Sequence, residues 1–391
     1  MHKARLGVCA IMAAAFAAAP ALAQQPLKIG LLMPYTGQFT DASAQMDDAI
    51  KLYVKQHGDT VAGRKLEFIR RDDGGSPDVT KRMARELVVN DKVDILAGFV
   101  ITPEALAVAE VATEAKKLMV VMNAATAIIT TKSPYIVRSS LTIPQVNEAF
   151  GTWAAKSGIH KVYTLVSDYA PGHDAESSFQ RGFKEAGGEI VGSLRIPLAN
   201  PDFSAFVQRI KDANPEAIYI FVPGGAQPAA LAKAMVERGM DTSKIKILGQ
   251  GEITEENAIR GMGDAALGVV TAFHYDYNHD SKMNKDYVAA FNADYKRNPD
   301  FFATGGYDGM HVIYEALKKT GGKSDGDALV AAAKGLKWES PRGPVSIDPD
   351  TRDIVQTVYF RKVEKVGGAL KNVEFEKIEN VKDPVKARMP K

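Results

Sequence analysis

Few side chains in this sequence are of a type and spacing that could do chemistry, and none is set out as a catalytic group. His274 and His279 flank Asp276, and imidazole and carboxylate are common metal ligands. They fall in one polar segment after a strand, which fixes no ligand geometry, so no metal is expected there. Asp348-Pro349-Asp350 with Asp353 has the acid spacing of a calcium loop, but Arg352 holds the fifth ligand position and no glycine follows. A turn is expected instead. Gly322-Lys323-Ser324 looks like the end of a phosphate-binding loop, yet the earlier glycine that loop needs would be residue 317, which is leucine. The segment also follows a helix rather than a strand, so it reads as a surface turn. No H-E-x-x-H is present, no G-x-G-x-x-G follows the first strand, and no strand ends in a G-x-S-x-G elbow. No cofactor and no catalysis are expected.

Binding chemistry is better represented. Six loops at the ends of strand-like runs are rich in small and aromatic residues. They are Pro34-Tyr35-Thr36-Gly37, Gly98-Phe99-Val100-Ile101-Thr102, and Asn123-Ala124-Ala125-Thr126 in the first part of the chain. In the second part they are 167–172 with Tyr169, Pro223-Gly224-Gly225, and Gly249-Gln250-Gly251-Glu252. In open parallel sheets ligands sit beyond the carboxyl ends of the strands. Free backbone N–H groups where a helix begins at Pro103, helped by a hydroxyl, suit a carboxylate. Tyr35, Phe99 and Tyr169 supply flat apolar walls.

The elements that must position these loops alternate. Residues 27–33 form a compact apolar run, a strand buried on both faces. The spacing of apolar residues over 41–57 is helical. Strands then fall at 65–71, 94–98 and 118–122, with helices at 77–90 and 103–117. The rhythm restarts at 143–157 with a helix. Strands follow at 161–167, 190–194, 217–222, 245–248 and 268–273, with helices at 172–186, 202–213 and 226–239. Helices at 281–296, 304–320 and 325–334 precede β-like segments at 343–347 and 354–363. Two βα sets of similar size predict two α/β lobes with parallel sheets, between which the chain crosses more than once.

Composition agrees with a folded, neutral protein. The 391 residues allow two independent cores, and 46% apolar with 25% charged residues is near the globular average. Lysine and arginine number 49 against 47 acids, and Lys3 and Arg5 lie in an acid-free leader, so the remainder is balanced. That balance argues against a nucleic-acid or anionic-membrane surface. Residues 1–23 read as a secretory signal peptide. A short basic start leads into an uncharged run, then Pro20, then Ala21-Leu22-Ala23 as the cleavage site. Cys9, the single cysteine, falls within it and too early for lipidation. The mature chain from Gln24 is therefore expected to have no disulfide and no membrane insertion.

At this level the residues resemble a known family. The chain is similar to periplasmic solute-binding proteins of the Leu/Ile/Val-binding type, the receptor components of ABC importers. The carriers are LKIGLLMPYTG at 27–37, DDG at 72–74, VNDKVDILAG at 89–98, NAAT at 123–126 and NPDFSAFVQRIKDANPEAIYIFVPGG at 200–225. LGQGEIT at 248–254, GGYDGM at 305–310 and SPRGPVSIDPDTRDIVQTVY at 340–359 complete the set. The resemblance implies two Rossmann-like lobes joined by three crossovers, with a ligand enclosed between them by hinge closure. Residues 26–142 and 276–337 would form one lobe, and 143–275 with 338–391 the other. It implies a small carboxylate ligand, membrane permease subunits as partners, and a periplasmic location. Tyr35, Phe99, Val100, Thr102, Asn123, Ala124, Ala125 and Thr126 would meet the ligand from the first lobe. Tyr169, Pro223, Gly224, Gly251 and Glu252 would close from the second. Relatives that bind aliphatic amino acids carry an acid at the turn corresponding to 249–251, where Gln250 and Gly251 stand here. An aromatic or other organic acid is expected in preference to leucine, isoleucine or valine.

Overall fold

The computed structural model describes residues 25–199 and 201–389. The expected leader at 1–23, its cleavage point after Ala23, and Cys9 lie outside these residues. The first sheet is built from β1 (Leu27–Met33), β2 (Thr60–Val61), β3 (Arg64–Asp72), β4 (Ile95–Gly98), β5 (Leu118–Val121) and β6 (Ile136–Arg138). Their order is β2-β3-β1-β4-β5-β6, all parallel except the β2–β3 hairpin. The strands β4 and β5 are buried throughout because helices cover both faces. These helices are α1 (Thr40–His57), α2 (Pro77–Val89) and α3 (Thr102–Ala115).

After β6 the chain enters the second lobe through α4 (Ile143–Lys156). It continues with β7 (Lys161–Ser167), α5 (Ala170–Glu185), β8 (Glu189–Ile196), α6 (Phe203–Ala213), β9 (Ala217–Phe221), α7 (Ala226–Glu237), β10 (Lys246–Gln250), α8 (Glu256–Met262) and β11 (Val270–Phe273). It then returns to the first sheet as α9 (Lys282–Tyr295), α10 (Phe301–Lys319) and α11 (Gly326–Ala333). The glycines of G-G-Y-D-G at 305–309 make that return possible. A Cβ on Gly305 would stand 2.0 Å from the Met122 carbonyl oxygen, and one on Gly306 2.7 Å from that of Met46. Helix α10 thus lies directly on α1 and the end of β5, at the usual helical cost of glycine.

A last passage adds β12 (Lys337–Ser340), β13 (Gly343–Ile347), β14 (Ile354–Val366), β15 (Ala369–Val381) and α12 (Pro384–Ala387). The second sheet runs β12-β13-β14-β11-β10-β9-β7-β8, with β15 also paired to β14. The sheet is mostly parallel, as expected, and closes with an antiparallel edge. Strands β7 to β11 are parallel, but β14 is antiparallel to β11, β13 and β15. The connections explain it: β14 and β15 are joined by Gly367-Gly368 alone, and a tight turn can only reverse the chain.

Three buried arginine–aspartate pairs mark the crossings. Arg138 at the end of β6 donates to Asp353 at 2.9 Å, Arg342 after β12 to Asp308 of α10 at 2.9 Å, and Arg361 of β14 to Asp276 after β11 at 3.1 Å. All three guanidinium groups are shut off from solvent. Each also donates to backbone carbonyls, which satisfies the donors that burial would otherwise strand.

Candidate functional site

The carboxyl ends of β4 and β5 face those of β7, β9 and β10 across a cleft of about 930 Å³, counted out to open solvent. Of the residues singled out in the sequence, Val100, Thr102, Asn123, Ala124 and Ala125 line it from the first lobe. Tyr169, Pro223, Gly224 and Glu252 line it from the second.

Four others are placed elsewhere, each for a physical reason. Tyr35 turns its hydroxyl back toward Asp47 and Arg70, where burial and the Asp47 carboxylate push its pKa up. Phe99 adopts a left-handed backbone (φ 66°), which drives its ring into the core, fully buried. Its N–H donates to Leu32 and its carbonyl accepts from Ala124, so it braces the loop rather than facing the cleft. Thr126 stands behind the wall, its hydroxyl 2.8 Å from that of Thr102 and its carbonyl held by Arg138 at 2.9 Å. Gly251 packs inward: a Cβ there would lie 2.2 Å from the Phe273 ring.

Sequence reasoning missed several wall residues. Phe39 comes from the β1–α1 loop, Phe221 ends β9, and Phe301 and Phe302 open α10. With Tyr169 they give the cleft five aromatic rings; Tyr169 and Phe221 lie 6.3 Å apart between centroids, Phe301 and Phe302 3.9 Å. The adjacent Phe301-Phe302 after an Asp cap was the available signal, but nothing local ties it to a strand end. Glu255, Asn257 and Asp300 also reach the cleft.

Among the described residues no lysine, arginine or histidine lines the cleft. Donors must be neutral. The α3 start supplies fewer than expected, since the Val100 and Ile101 N–H groups donate to Glu104 at 3.0 and 3.1 Å. Burial and the nearby Asp73 push Glu104 up to about 9, which keeps that carboxyl uncharged at neutral pH. The N–H groups of Thr102 and Ala125 have no hydrogen-bond partner among the described residues. The Thr102 hydroxyl is paired with that of Thr126, and either can be the donor between them.

Acids, by contrast, are plentiful. The turn at 249–251 itself carries no acid, and the Glu252 side chain, expected in the site, reaches the cleft just beyond it. Burial pushes Glu252 up to about 7, and its oxygens accept only long bonds from the Gly224 N–H (3.3 Å) and the Gln250 amide (3.4 Å). Asp300 caps α10 through the Ala303 N–H at 3.0 Å and is likewise pushed up to about 7 by burial. Glu255 is raised well above the ordinary carboxyl range by burial. Two hydrogen bonds join the lobes near the cleft, from the Ala127 N–H to Asp174 at 2.8 Å and from the Asn298 amide to Glu256 at 3.0 Å.

Two α/β lobes crossed three times by one chain, with an aromatic cleft between them, define a receptor that encloses a small solute. The family model for the periplasmic binding protein matches residues 26–369, and the chain belongs to that family, as a type I solute-binding protein of ABC importers. A curated relative, the Leu/Ile/Val-binding protein homolog 6 of Brucella melitensis biotype 1, is 41% identical over 389 residues, covering 98% of this chain and 99% of its own. Among solved structures, an ABC-transporter solute-binding protein of Rhodopseudomonas palustris BisB5, in complex with 3,4-dihydroxybenzoic acid, is 57% identical. Its TM-score is 0.89, with 92% of this chain and 99% of that one covered. One from Rhodopseudomonas palustris HaA2, in complex with p-hydroxybenzoic acid, is 40% identical with a TM-score of 0.90, covering 93% of this chain and 100% of that one. Among the described residues no helix is long and apolar enough to cross a membrane.

Proposed function

We propose that the protein captures an aromatic carboxylic acid in the interlobe cleft and delivers it to the permease of an ABC importer, acting by binding and not by catalysis. The observation that carries this reading is the wall itself: five aromatic rings and, among the described residues, no cationic side chain. A planar ring gains stacking and apolar burial there, while its carboxylate takes the neutral donors at Thr102 and Ala125. The ligands of the two Rhodopseudomonas palustris relatives support the same class. The moving bodies are residues 26–142 with 276–337, and 143–275 with 338–391. The working location is the periplasm, after removal of Met1–Ala23.

A branched-chain amino acid is the second reading. It is favoured by the acids in the cleft, which could hold an ammonium, and by the name of the Brucella relative. Against it, burial raises Glu252, Glu255 and Asp300 toward their neutral forms, which weakens them as counter-charges. Calorimetry on the purified protein tests both. Tight binding of benzoate-class acids with weak or no binding of leucine, isoleucine and valine is expected. Tight leucine binding lost in Glu252→Gln would replace the first reading by the second.

A further inference from the structure

We infer that Glu252 and Glu255 accept hydrogen bonds from hydroxyl groups on the ligand ring, so that the cleft selects hydroxylated aromatic acids over unsubstituted ones. This rests on the aromatic-acid reading above and assigns the part of the ligand that reading leaves open.

The two glutamates stand three residues apart where β10 passes into α8, and both line the cleft. Their acceptor capacity is unspent. One carboxyl oxygen of Glu255 is buried with no hydrogen-bond partner among the described residues, and Glu252 receives only two long bonds. A buried acceptor left unmatched is costly, and the cleft offers no lysine, arginine or histidine to match it. A donor carried by the ligand would match these oxygens.

The surroundings narrow what that donor is. Asp41, Glu255, Asn257 and Asp300 line both the cleft and an adjoining polar cavity whose other walls carry Arg260, Lys296 and Arg297, while Glu252 lines the cleft alone. Thr102 and Asn123 to Ala125, with the free N–H donors, line the cleft alone and lie away from that junction. A ligand carboxylate is suited to the N–H donors at Thr102 and Ala125 on the first lobe, with the two glutamates on the second. A ring between Tyr169, Phe221, Phe301 and Phe302 then points its far edge at the glutamates. A phenolic hydroxyl is a neutral donor, which a carboxyl oxygen accepts without needing an ion pair. Two acceptors side by side accommodate one hydroxyl or two neighbouring ones. A ring with no hydroxyl desolvates the same oxygens and gives nothing back, which is how a site built to hydrogen-bond a hydroxyl rejects the analogue lacking one.

The test compares calorimetric Kd values for benzoate, 4-hydroxybenzoate and 3,4-dihydroxybenzoate on the whole protein and on Glu252→Ala and Glu255→Ala. The wild type should prefer 4-hydroxybenzoate over benzoate by about tenfold or more. That ratio should fall to about threefold or less in at least one variant, a change that general loosening of the cleft does not produce. Equal affinities for benzoate and 4-hydroxybenzoate in the wild type, or a ratio unmoved in both variants, overturns the hydroxyl assignment and leaves aromatic-acid capture standing. If neither variant folds, the wild-type ratio alone decides. Binding of leucine with no binding of any of the three acids overturns both readings.

Discussion

Replacing Asp308 by alanine should be among the most damaging single changes in this molecule, although the residue lies outside the cleft. Asp308 sits on α10 with no solvent exposure, opposite an Arg342 that is equally buried. Its carboxylate accepts from Arg342 Nε at 2.9 Å, from the Trp338 indole at 2.9 Å and from the Ser340 hydroxyl at 2.7 Å. The substitution strands a buried cation and two further donors, and breaking a buried pair from one side costs about 3–5 kcal/mol. With a urea dependence of about 3 kcal/mol per M for a chain of this size, the unfolding midpoint should drop by about 1–1.7 M. Fluorescence reads the transition directly, because Trp338 is one of the chain's two tryptophans and touches the lost group. Adding Arg342→Met should recover only part of the loss, since the Ser139 and Ser140 carbonyls and Gln356 then lose their donor. Asp286→Ala is the control: its pair with Lys282 is 64% and 89% exposed and should be worth about 0.3–0.5 kcal/mol. A midpoint for Asp308→Ala no lower than that of the control would refute the claim that buried ion pairs hold the crossings.

The other expectations concern charge and motion. Glu252 and Asp300, pushed up to about 7, hold protons in the folded state that their unfolded forms release near pH 4. The ligand-free protein should therefore lose stability as pH rises from about 5 to 8, and melting curves of Glu252→Gln should show a shallower loss across that window. Glu104→Gln should be nearly neutral, because the native carboxyl is already uncharged and the amide oxygen can still accept from Val100 and Ile101. Glu104→Ala should cost about 1–3 kcal/mol in thermal unfolding by leaving those N–H groups unmatched. Small-angle scattering should give a smaller radius of gyration with saturating ligand, and an unchanged radius despite measured binding would contradict hinge closure. Asn298→Ala removes one bond between the lobes and should speed ligand release more than it slows capture in stopped-flow measurements. Mass spectrometry of the exported protein should find Gln24 at its start.

Much of the architecture was legible because it is local. The buried runs at β1, β4 and β5 and the amphipathic helices between them impose a βα alternation, and right-handed βα crossovers bring strand ends to one edge. That is why the loops at 98–102 and 123–126 fall at one sheet edge, while joining them with 223–225 of the other lobe came from the family resemblance. The Gly367-Gly368 hairpin was also written in the chain, but β15 is largely solvent-exposed and charged, and offers no apolar pattern to read. Direction and partnership were another matter. Whether Phe99 faces ligand or core depends on a left-handed φ set by hydrogen bonds to Leu32 and Ala124. Whether the α3 start offers free donors depends on where the Glu104 carboxyl folds back. Phe39, Phe301 and Phe302 share a wall although more than 250 residues separate the first from the others. Arg138 finds Asp353 across 215 residues, and neither carries a mark that names its partner. Periodicity reports which face of an element is buried; only the packed tertiary structure decides what each buried polar group meets, because burial makes an unmatched partner costly and so selects the pairing.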